Sequence, residues 1–194
     1  MQDSQLRLAI VVGSTREGRF GHIVANWFAR HARNHAGFDV DVIDIATMHF
    51  PVDMSRNADV EDFSARIDAA DAIVVLSPEY NHSYSGPLKT AIDSLKEEWK
   101  AKPVGFVAYG GMSGGLRAVE ALRVVFAELH AVTVRDTVSF HIARTQFDEQ
   151  GEPVAPEMVG VAADTMLNQL VWWASALNTA RAAHPYGERM LVTR

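Results

Sequence analysis

The chain has 194 residues, 48% hydrophobic and 22% charged, which is the composition of a folded domain rather than of a disordered chain. Its formal net charge of -6 argues against a nucleic-acid groove as the main function, although a small anionic ligand needs only a local positive site. The sequence contains no cysteine, which excludes disulfides, thiol nucleophiles and thiolate metal sites.

A chain of this length is expected to fold as one domain over residues 1–194. The segment MQDSQLRLAIVVG lacks the basic region and the long apolar run of a secretory signal. The longest apolar runs are only a handful of residues, too short to span a bilayer. We therefore predict a cytoplasmic protein that has no membrane partner.

Strand-like and helix-like patterns alternate along the chain from the first residues onward. Strand patterns cover 6–13, 38–45, 71–77, 103–111 and 132–142, and helical patterns cover 22–37, about 60–70, 86–99, 114–131 and 157–182. Parallel neighbours need crossovers long enough for a helix, so this alternation favours a five-stranded parallel sheet. The sequence predicts an α/β three-layer sandwich with helices on both faces of the sheet. The polar segment 144–157 is predicted to be an exposed loop.

Three loops that follow strands have unusual compositions. They are GSTREGRFG after the first strand, SPEYNHSYSG after the third and GGMSGG after the fourth. In an open parallel sheet, ligands bind outside the carboxyl ends of the strands, where the strand order reverses. If the strand order is 2-1-3-4-5, all three loops surround one crevice.

The loop after the first strand suits a phosphate. Ser14 and Thr15 supply hydroxyl donors, Arg16 and Arg19 supply positive charge, and a helix begins just after them with unpaired amides. The segment has neither the GxxxxGK[ST] loop nor the GxGxxG fingerprint, so a monophosphate is the simplest guest. The alternative is a solvated loop with a hydroxyl helix cap.

The glycines around Met112 and Ser113 leave most of the loop after the fourth strand without side chains. They let a flat ligand approach the backbone, or they merely permit a tight turn with positive φ. Arg117, just inside the next helix, either reaches toward a ligand or pairs with Glu120 three residues later.

The loop after the third strand is the most specific of the three. Pro78 bends the chain, and Glu79, Tyr80 and Asn81 then pass over the crevice. An aromatic ring and several donors beside a glycine-lined wall suit a planar heterocycle with polar edges. The alternative is a polar loop with an Asn turn and Ser85 as the helix cap.

The stretches GSTREGR, SPEYNHSYSGPLKTAIDSL and GGMSGGLRA, in this order and spacing, resemble the NADPH-dependent FMN reductase family over roughly the first two-thirds of the chain. The family is flavodoxin-like and includes flavin, quinone, azo and chromate reductases. The resemblance implies FMN with its phosphate in the first loop and its isoalloxazine ring against the other two. Many members have Ser where this chain has Arg19, so Arg19 either replaces that contact or points to solvent.

The three loops and the resemblance together define the candidate cofactor-binding residues. They are Ser14, Thr15, Arg16, Arg19, Phe20, Gly21, Pro78, Glu79, Tyr80, Asn81, Gly111, Met112, Ser113 and Gly114. The resemblance also implies a homodimer or homotetramer that buries the face around the helix after the third strand. Trp99, Trp172 and Trp173 suit either such an interface or ordinary core packing.

The resemblance implies a flavoenzyme in which FMN takes hydride from NADPH or NADH and passes electrons to a small-molecule acceptor by a ping-pong mechanism. No catalytic triad, carboxylate pair or metal-ligand pattern is evident, so we predict no catalytic side chain and no metal. Two alternatives remain at this point. One is a flavodoxin-type electron carrier without its own NAD(P)H reaction, and the other is a non-flavin phosphoester enzyme or binding module on the same fold.

Overall fold

Five parallel strands form the central sheet of the computed structural model, which describes residues 5–35 and 37–187. They are β1 (Leu6–Val12), β2 (Phe38–Asp44), β3 (Ala72–Pro78), β4 (Pro103–Tyr109) and β5 (Val132–Phe140). The order across the sheet is β2-β1-β3-β4-β5, and every neighbouring pair is parallel. The strand order posed from the sequence is confirmed, and it places the switch point between β1 and β3.

Helices cover both faces of this sheet. They are α1 (Gly21–Asn34), α2 (Ala58–Ala69), α3 (Gly86–Asp93), α4 (Leu116–Glu128) and α5 (Pro156–Ala183). Side chains of α1 and α5 pack on one face, and those of α2, α3 and α4 pack on the other. The predicted flavodoxin-like three-layer sandwich is therefore confirmed.

The alternation along β1 shows how the sheet divides the apolar core in two. Leu8 and Ile10 join the cluster under α1 and α5, whereas Ala9 and Val11 join the cluster under α2, α3 and α4. Successive side chains of a strand point to opposite faces, so a strand buried on both sides is apolar throughout. This is why β3 and β4 appear in the sequence as continuous apolar runs.

The helix predicted over 86–99 is shorter than its apolar pattern. α3 ends at Asp93, and Glu97–Trp99 forms a separate 3₁₀ turn. The break turns the Trp99 ring into the core against Phe63 and Phe126, with its indole N–H donating to the Ile92 carbonyl at 3.1 Å. Trp99 is thus a core residue, because a helical period records burial without requiring an unbroken helix.

Two further predictions concern the second half of the chain. The exposed loop predicted over 144–157 is wrong in part, because Phe147 is buried and forms an antiparallel bridge with Pro153. Trp172 and Trp173 on α5 are 64% and 36% exposed, so core packing within this chain does not account for them.

None of the helices in the described ranges is long and apolar enough to cross a membrane. The single domain over residues 1–194 stays a prediction.

Candidate functional site

A cleft of about 560 Å³ opens at the carboxyl ends of the strands beside the switch point. It is lined by Arg16, Glu17, Gly18, Arg19, Phe20, Glu79, Tyr80, Tyr109, Gly110, Gly111, Ile142, Ala143 and Arg144. Its volume is within the usual range for a site that binds a small molecule. The three loops singled out in the sequence therefore line one cleft, together with a fourth segment that follows β5.

The loop between β1 and α1 carries a run of unsatisfied backbone donors. Gly13 N–H donates to the Leu76 carbonyl at 2.8 Å and Arg19 N–H to the Arg16 carbonyl at 3.2 Å. The amides of residues 14–18 and 20–22 donate to no other described residue. α1 has no side-chain cap and no acidic residue in its first turn. Free amides and the positive end of a helix dipole together make this loop a binding site for an anion.

Arg19 fixes the shape of this loop. Its guanidinium makes a bidentate pair with Asp44 at the end of β2, at 2.6 and 2.5 Å, and also donates to the Ser14 carbonyl at 2.7 Å. Burial alone would raise the pKa of Asp44, but hydrogen bonds from Arg19 and from the Ala46 amide hold that pKa below its ordinary value. Arg19 therefore neither points to solvent nor carries a free charge; it ties the loop to β2.

Arg16 has no such partner. Its guanidinium carbon lies 5.4 Å from the centre of the Tyr80 ring, over the ring face. Within residues 5–35 and 37–187 no acidic side chain forms an ion pair with it. Arg16 thus brings an uncompensated positive charge to the cleft beside the free amides.

Glu79 joins the loops that follow β3 and β4. Its side chain is only 7% exposed, and its carboxylate accepts from the Arg117 amide at 3.1 Å and the Arg117 guanidinium at 3.2 Å. Burial opposes ionisation, but hydrogen bonds from Ser113 and Arg117 hold the pKa of Glu79 below its ordinary value. The ion pair predicted between Arg117 and Glu120 is wrong, because Arg117 pairs with Glu79 while Glu120 pairs with Arg123 at 3.1 Å. A contact of Arg117 with a ligand stays a prediction.

Tyr80 and Ser83 close a tight hairpin turn over the cleft. Each donates its amide to the carbonyl of the other, at 2.9 and 3.1 Å. The two residues between them, Asn81 and His82, both have positive φ, at 49° and 76°, as a type I′ turn requires. Tyr80 is thereby held against the β1–α1 loop, where its hydroxyl lies 3.2 Å from Ser14 Oγ.

The two glycines of the candidate set in the loop after β4 play different parts. A Cβ placed on Gly111 would meet nothing within 4 Å, so a side chain there would project into the cleft space. Gly114 has a φ of 63°, and its Cβ would lie 2.5 Å from Ser139 Oγ. Open space at Gly111 lets a flat group approach the backbone, whereas Gly114 satisfies the turn itself.

The candidate residues divide into those that line the cleft and those that lie around it. The first group is Arg16, Arg19, Phe20, Glu79, Tyr80 and Gly111. The second group is Ser14, Thr15, Gly21, Pro78, Asn81, Met112, Ser113 and Gly114. Within it, Thr15 lines a neighbouring hollow with Ile45 and Pro87, and the Met112 side chain is 87% exposed. Contact of any of these residues with a cofactor stays a prediction.

Several cleft residues were missed by the sequence-based reasoning. Ile142, Ala143 and Arg144 follow β5, where the sequence shows only extended residues and a polar loop. Tyr109 ends β4, and its buried hydroxyl lies beside Ser14 without a hydrogen bond of normal geometry to any described residue. Burial raises the pKa of Tyr109 to about 12. A tyrosine at the end of an apolar strand gives no sequence signal that separates core from site.

The donor set fits a flavin mononucleotide. A phosphate monoester suits free loop amides beside Arg16, and a planar ring suits the side-chain-free backbone at Gly111 beside Tyr80. No group of three or more His, Asp or Glu side chains able to hold a metal ion occurs in the described ranges.

Known proteins with similar sequences include reductases of flavins, quinones and azo compounds. An NAD(P)H-dependent FMN reductase of Schizosaccharomyces pombe is 28% identical over 120 residues, which is 56% of this chain and 60% of that relative. "Probable NADPH:quinone oxidoreductase 2" of Oryza sativa subsp. japonica is 32% identical over 178 residues, covering 84% of this chain and 86% of the relative. An FMN-dependent NADPH-azoreductase of Staphylococcus haemolyticus is 32% identical over 145 residues, covering 68% and 75%.

A solved structure supports the fold independently. FerB, a flavoenzyme NAD(P)H:(acceptor) oxidoreductase from Paracoccus denitrificans, superposes with a TM-score of 0.70 at 20% identity over 88% of this chain and 98% of FerB. The sequence model of the NADPH-dependent FMN reductases matches residues 6–145, which include β1 to β5 and every loop of the cleft. This protein therefore belongs to the NADPH-dependent FMN reductase family.

Proposed function

We propose that the protein binds FMN in the cleft and reduces a small acceptor, such as a free flavin, a quinone or an azo compound, with NAD(P)H. Family membership supports the reaction class. The observation that most supports FMN binding in this cleft is the run of free backbone amides at residues 14–18 and 20–22. These amides lie on the wall of the cleft at the switch point. FMN, when bound, supplies the hydride and electron chemistry, so the protein supplies binding, orientation and access.

The cleft offers a distinct surface to each part of the cofactor. We assign the phosphate to the amides of the β1–α1 loop and to Arg16. Arg19 holds that loop in shape from its pair with Asp44, instead of contacting the phosphate itself. We assign the ring edges to Pro78–Asn81 and to the backbone of Gly111–Gly114.

We propose that one face of the bound flavin ring stays open to both substrates, which leads to a kinetic expectation. If NAD(P)H and the acceptor use the same face, one must leave before the other binds, and the mechanism is ping-pong. The names of the relatives point to flavins, quinones and azo compounds as acceptors to screen. Initial rates at several fixed acceptor concentrations should give parallel double-reciprocal lines; intersecting lines would show that both substrates bind together.

A homodimer or homotetramer and a cytoplasmic location complete the proposal. The exposed Trp172 and Trp173 of α5 are an apolar surface compatible with such an assembly. Light scattering of the purified protein would give the oligomeric state directly.

Flavin binding and reduction test the main proposal. The purified protein should be yellow, or should become yellow when the apoprotein takes up FMN. Anaerobic addition of NADPH or NADH should bleach the flavin absorbance, and an acceptor should restore it. A colourless protein that takes up no FMN would refute the proposal, whereas a yellow protein that no reduced nicotinamide bleaches would indicate an electron carrier.

A further inference from the structure

The turn that follows β5 has no role in the function proposed above. Ile142 has a φ of 47°, in the left-handed region that β-branched residues rarely occupy. The conformation is held from outside, because the Ile142 amide donates to the Gly111 carbonyl at 2.8 Å and the Ala143 amide to the Gly110 carbonyl at 3.1 Å. The Thr145 amide then closes the turn on the Ile142 carbonyl at 2.9 Å. Strained backbone of this kind collects at ligand sites, where it places a particular side chain.

Three residues of this turn line the cleft, and the charged one among them is Arg144, which is exposed. Its guanidinium carbon lies 5.6 Å from the centre of the Phe20 ring, over the ring face. The preceding residue, Ala143, is 6% exposed, so the backbone that carries Arg144 is anchored in the core.

The charge of Arg144 is not compensated within the described part of the chain. No acidic side chain there forms an ion pair with it, whereas Arg19 is paired with Asp44 and Arg117 with Glu79. Of the two glutamates that line the cleft, Glu79 is the one taken by Arg117, and Glu17 makes no ion pair with Arg144.

The position of Phe20 links this charge to the free amides. Phe20 is the residue that immediately precedes α1, and the amides of residues 20–22 donate to no other described residue. The guanidinium over the Phe20 ring therefore lies on the wall of the cleft at which α1 begins, where the helix dipole is positive. Two positive features at one place, without an acidic partner, attract an anion with several acceptor oxygens.

We propose that Arg144 is a second phosphate-binding arginine of the cleft, in addition to Arg16. The proposal rests on the proposed function, which supplies two phosphate-bearing ligands. The phosphate belongs either to the resident FMN or to the nicotinamide dinucleotide that enters the cleft. Arg144 grips it with charge-assisted hydrogen bonds, and the strained turn holds the guanidinium in place for them.

The test compares Arg144→Ala and Arg144→Lys with wild type and with Arg33→Ala. Arg33 is an exposed arginine in the last turn of α1, away from the cleft, and it forms no ion pair with a described residue. Dissociation constants of the apoproteins for FMN and for riboflavin, which lacks the phosphate, are measured by flavin fluorescence quenching. KM for NADPH and for NADH is then measured on the FMN-loaded proteins. Circular dichroism confirms that each variant is folded.

With FMN as the source, Arg144→Ala raises the Kd for FMN about tenfold or more, leaves that for riboflavin unchanged, and Arg144→Lys recovers part of the loss. With the dinucleotide as the source, Arg144→Ala leaves the Kd values for FMN and riboflavin unchanged. The KM for NADPH alone rises about tenfold if Arg144 binds the 2′-phosphate. The KM values for NADPH and NADH both rise about tenfold if Arg144 binds the pyrophosphate.

Two results would overturn the proposal. One is that Arg144→Ala behaves like Arg33→Ala in all four measurements, and the other is that FMN and riboflavin weaken equally, which would indicate a contact with the ring. Either result leaves flavin binding by the wild-type protein intact. Failure of the proposed function is different, because the wild-type protein itself would then take up no FMN.

Discussion

At the scale of single residues, the arginines in and around the cleft differ in the groups that they contact. Arg19 is locked in a bidentate pair with Asp44, and Arg117 is bound to the buried Glu79. Arg16 rests only on the Tyr80 ring. An arginine whose charge is already matched stabilises the loop that carries it, whereas an unmatched one keeps its donors for a ligand.

Replacement of Arg16 by alanine is therefore expected to act on the ligand and not on the fold. Loss of a charge-assisted bond to phosphate should weaken FMN binding by about 1.5–3 kcal/mol. Fluorescence titration of the apoprotein measures this change, with Arg33→Ala as the matched exposed control. An unchanged FMN Kd would remove Arg16 from the phosphate site.

Tyr109 gives a prediction about the stability of the fold instead of ligand binding. Its buried hydroxyl lies beside Ser14 but makes no hydrogen bond of normal geometry in the described ranges, and an unsatisfied buried group costs on the order of 1–3 kcal/mol. Tyr109→Phe should therefore raise the free energy of unfolding of the apoprotein, by about 1 kcal/mol. Urea denaturation without flavin measures this. A destabilised Tyr109→Phe variant would show that the hydroxyl has a partner in solution.

At the scale of elements, side-chain ties between loops and strands give the cleft its shape. Arg19 ties the β1–α1 loop to the end of β2, and Glu79 ties the loop after β3 to the start of α4. Ser85 adds a third tie, since its hydroxyl donates to the Gly13 carbonyl at 2.6 Å. Loops held in this way are prepared for a ligand before it arrives, which lowers the entropic cost of binding.

Asp44→Asn tests the tie to β2. The variant should lose about 1 kcal/mol of stability at neutral pH, because Asn carries no charge and offers Arg19 one acceptor oxygen instead of two. It should also bind FMN more weakly. Asp41→Asn is the control, since Asp41 is on the same strand and pairs with Arg66 instead. Equal FMN binding by the two variants would separate this tie from the cleft.

The pH dependence of the same variant follows from linkage. The pKa of Asp44 is lowered in the folded protein, so the unfolded chain takes up a proton first as the pH falls. The stability difference between wild type and Asp44→Asn should thus be constant above about pH 5 and should shrink below about pH 3.9. Denaturation curves across this range measure it, and a difference that grows at low pH would contradict the stated direction.

The sequence predicted the strands and the three loops, because apolar runs and loop compositions are local signals. The strand order was posed from the fold class and follows from no local signal. The sequence-based prediction failed where contacts with residues distant in sequence determine the role of a side chain or the end of a helix. Nothing near Arg19 indicates that Asp44 takes its charge, and the apolar stripe up to Trp99 hides the end of α3 at Asp93. Arg144 was missed because its place in the cleft depends on backbone bonds to Gly110 and Gly111.

At the scale of the whole molecule, the sheet separates two apolar clusters that share the strands but not their side chains. Ile67 of α2 packs on one face and Leu170 of α5 on the other. The backbone of the sheet lies between the two clusters, so a substitution that changes side-chain volume in one cluster does not contact the other. The effects of such substitutions on stability are therefore expected to be independent.

Additivity of core substitutions tests this independence. Ile67→Val should cost about 1 kcal/mol and Leu170→Ala about 2–5 kcal/mol, and the double variant should equal their sum within about 0.5 kcal/mol. Leu170→Ala with Met166→Leu is the comparison, because both of those side chains pack on Gly105 from the same helix. This second pair should deviate from its sum, and a deviation across the sheet of similar size would refute the idea of separate cores.

The residues that line the cleft lie between Arg16 and Arg144 and come from four separate segments of the chain, so an incompletely folded chain has no such site. A ligand that binds only the folded form stabilises it by mass action, by about 2.7 kcal/mol when its free concentration is one hundred times Kd. If FMN is that ligand, the fraction of this protein that escapes proteolysis in a cell depends on the concentration of FMN. The protein then accumulates only where its cofactor is plentiful.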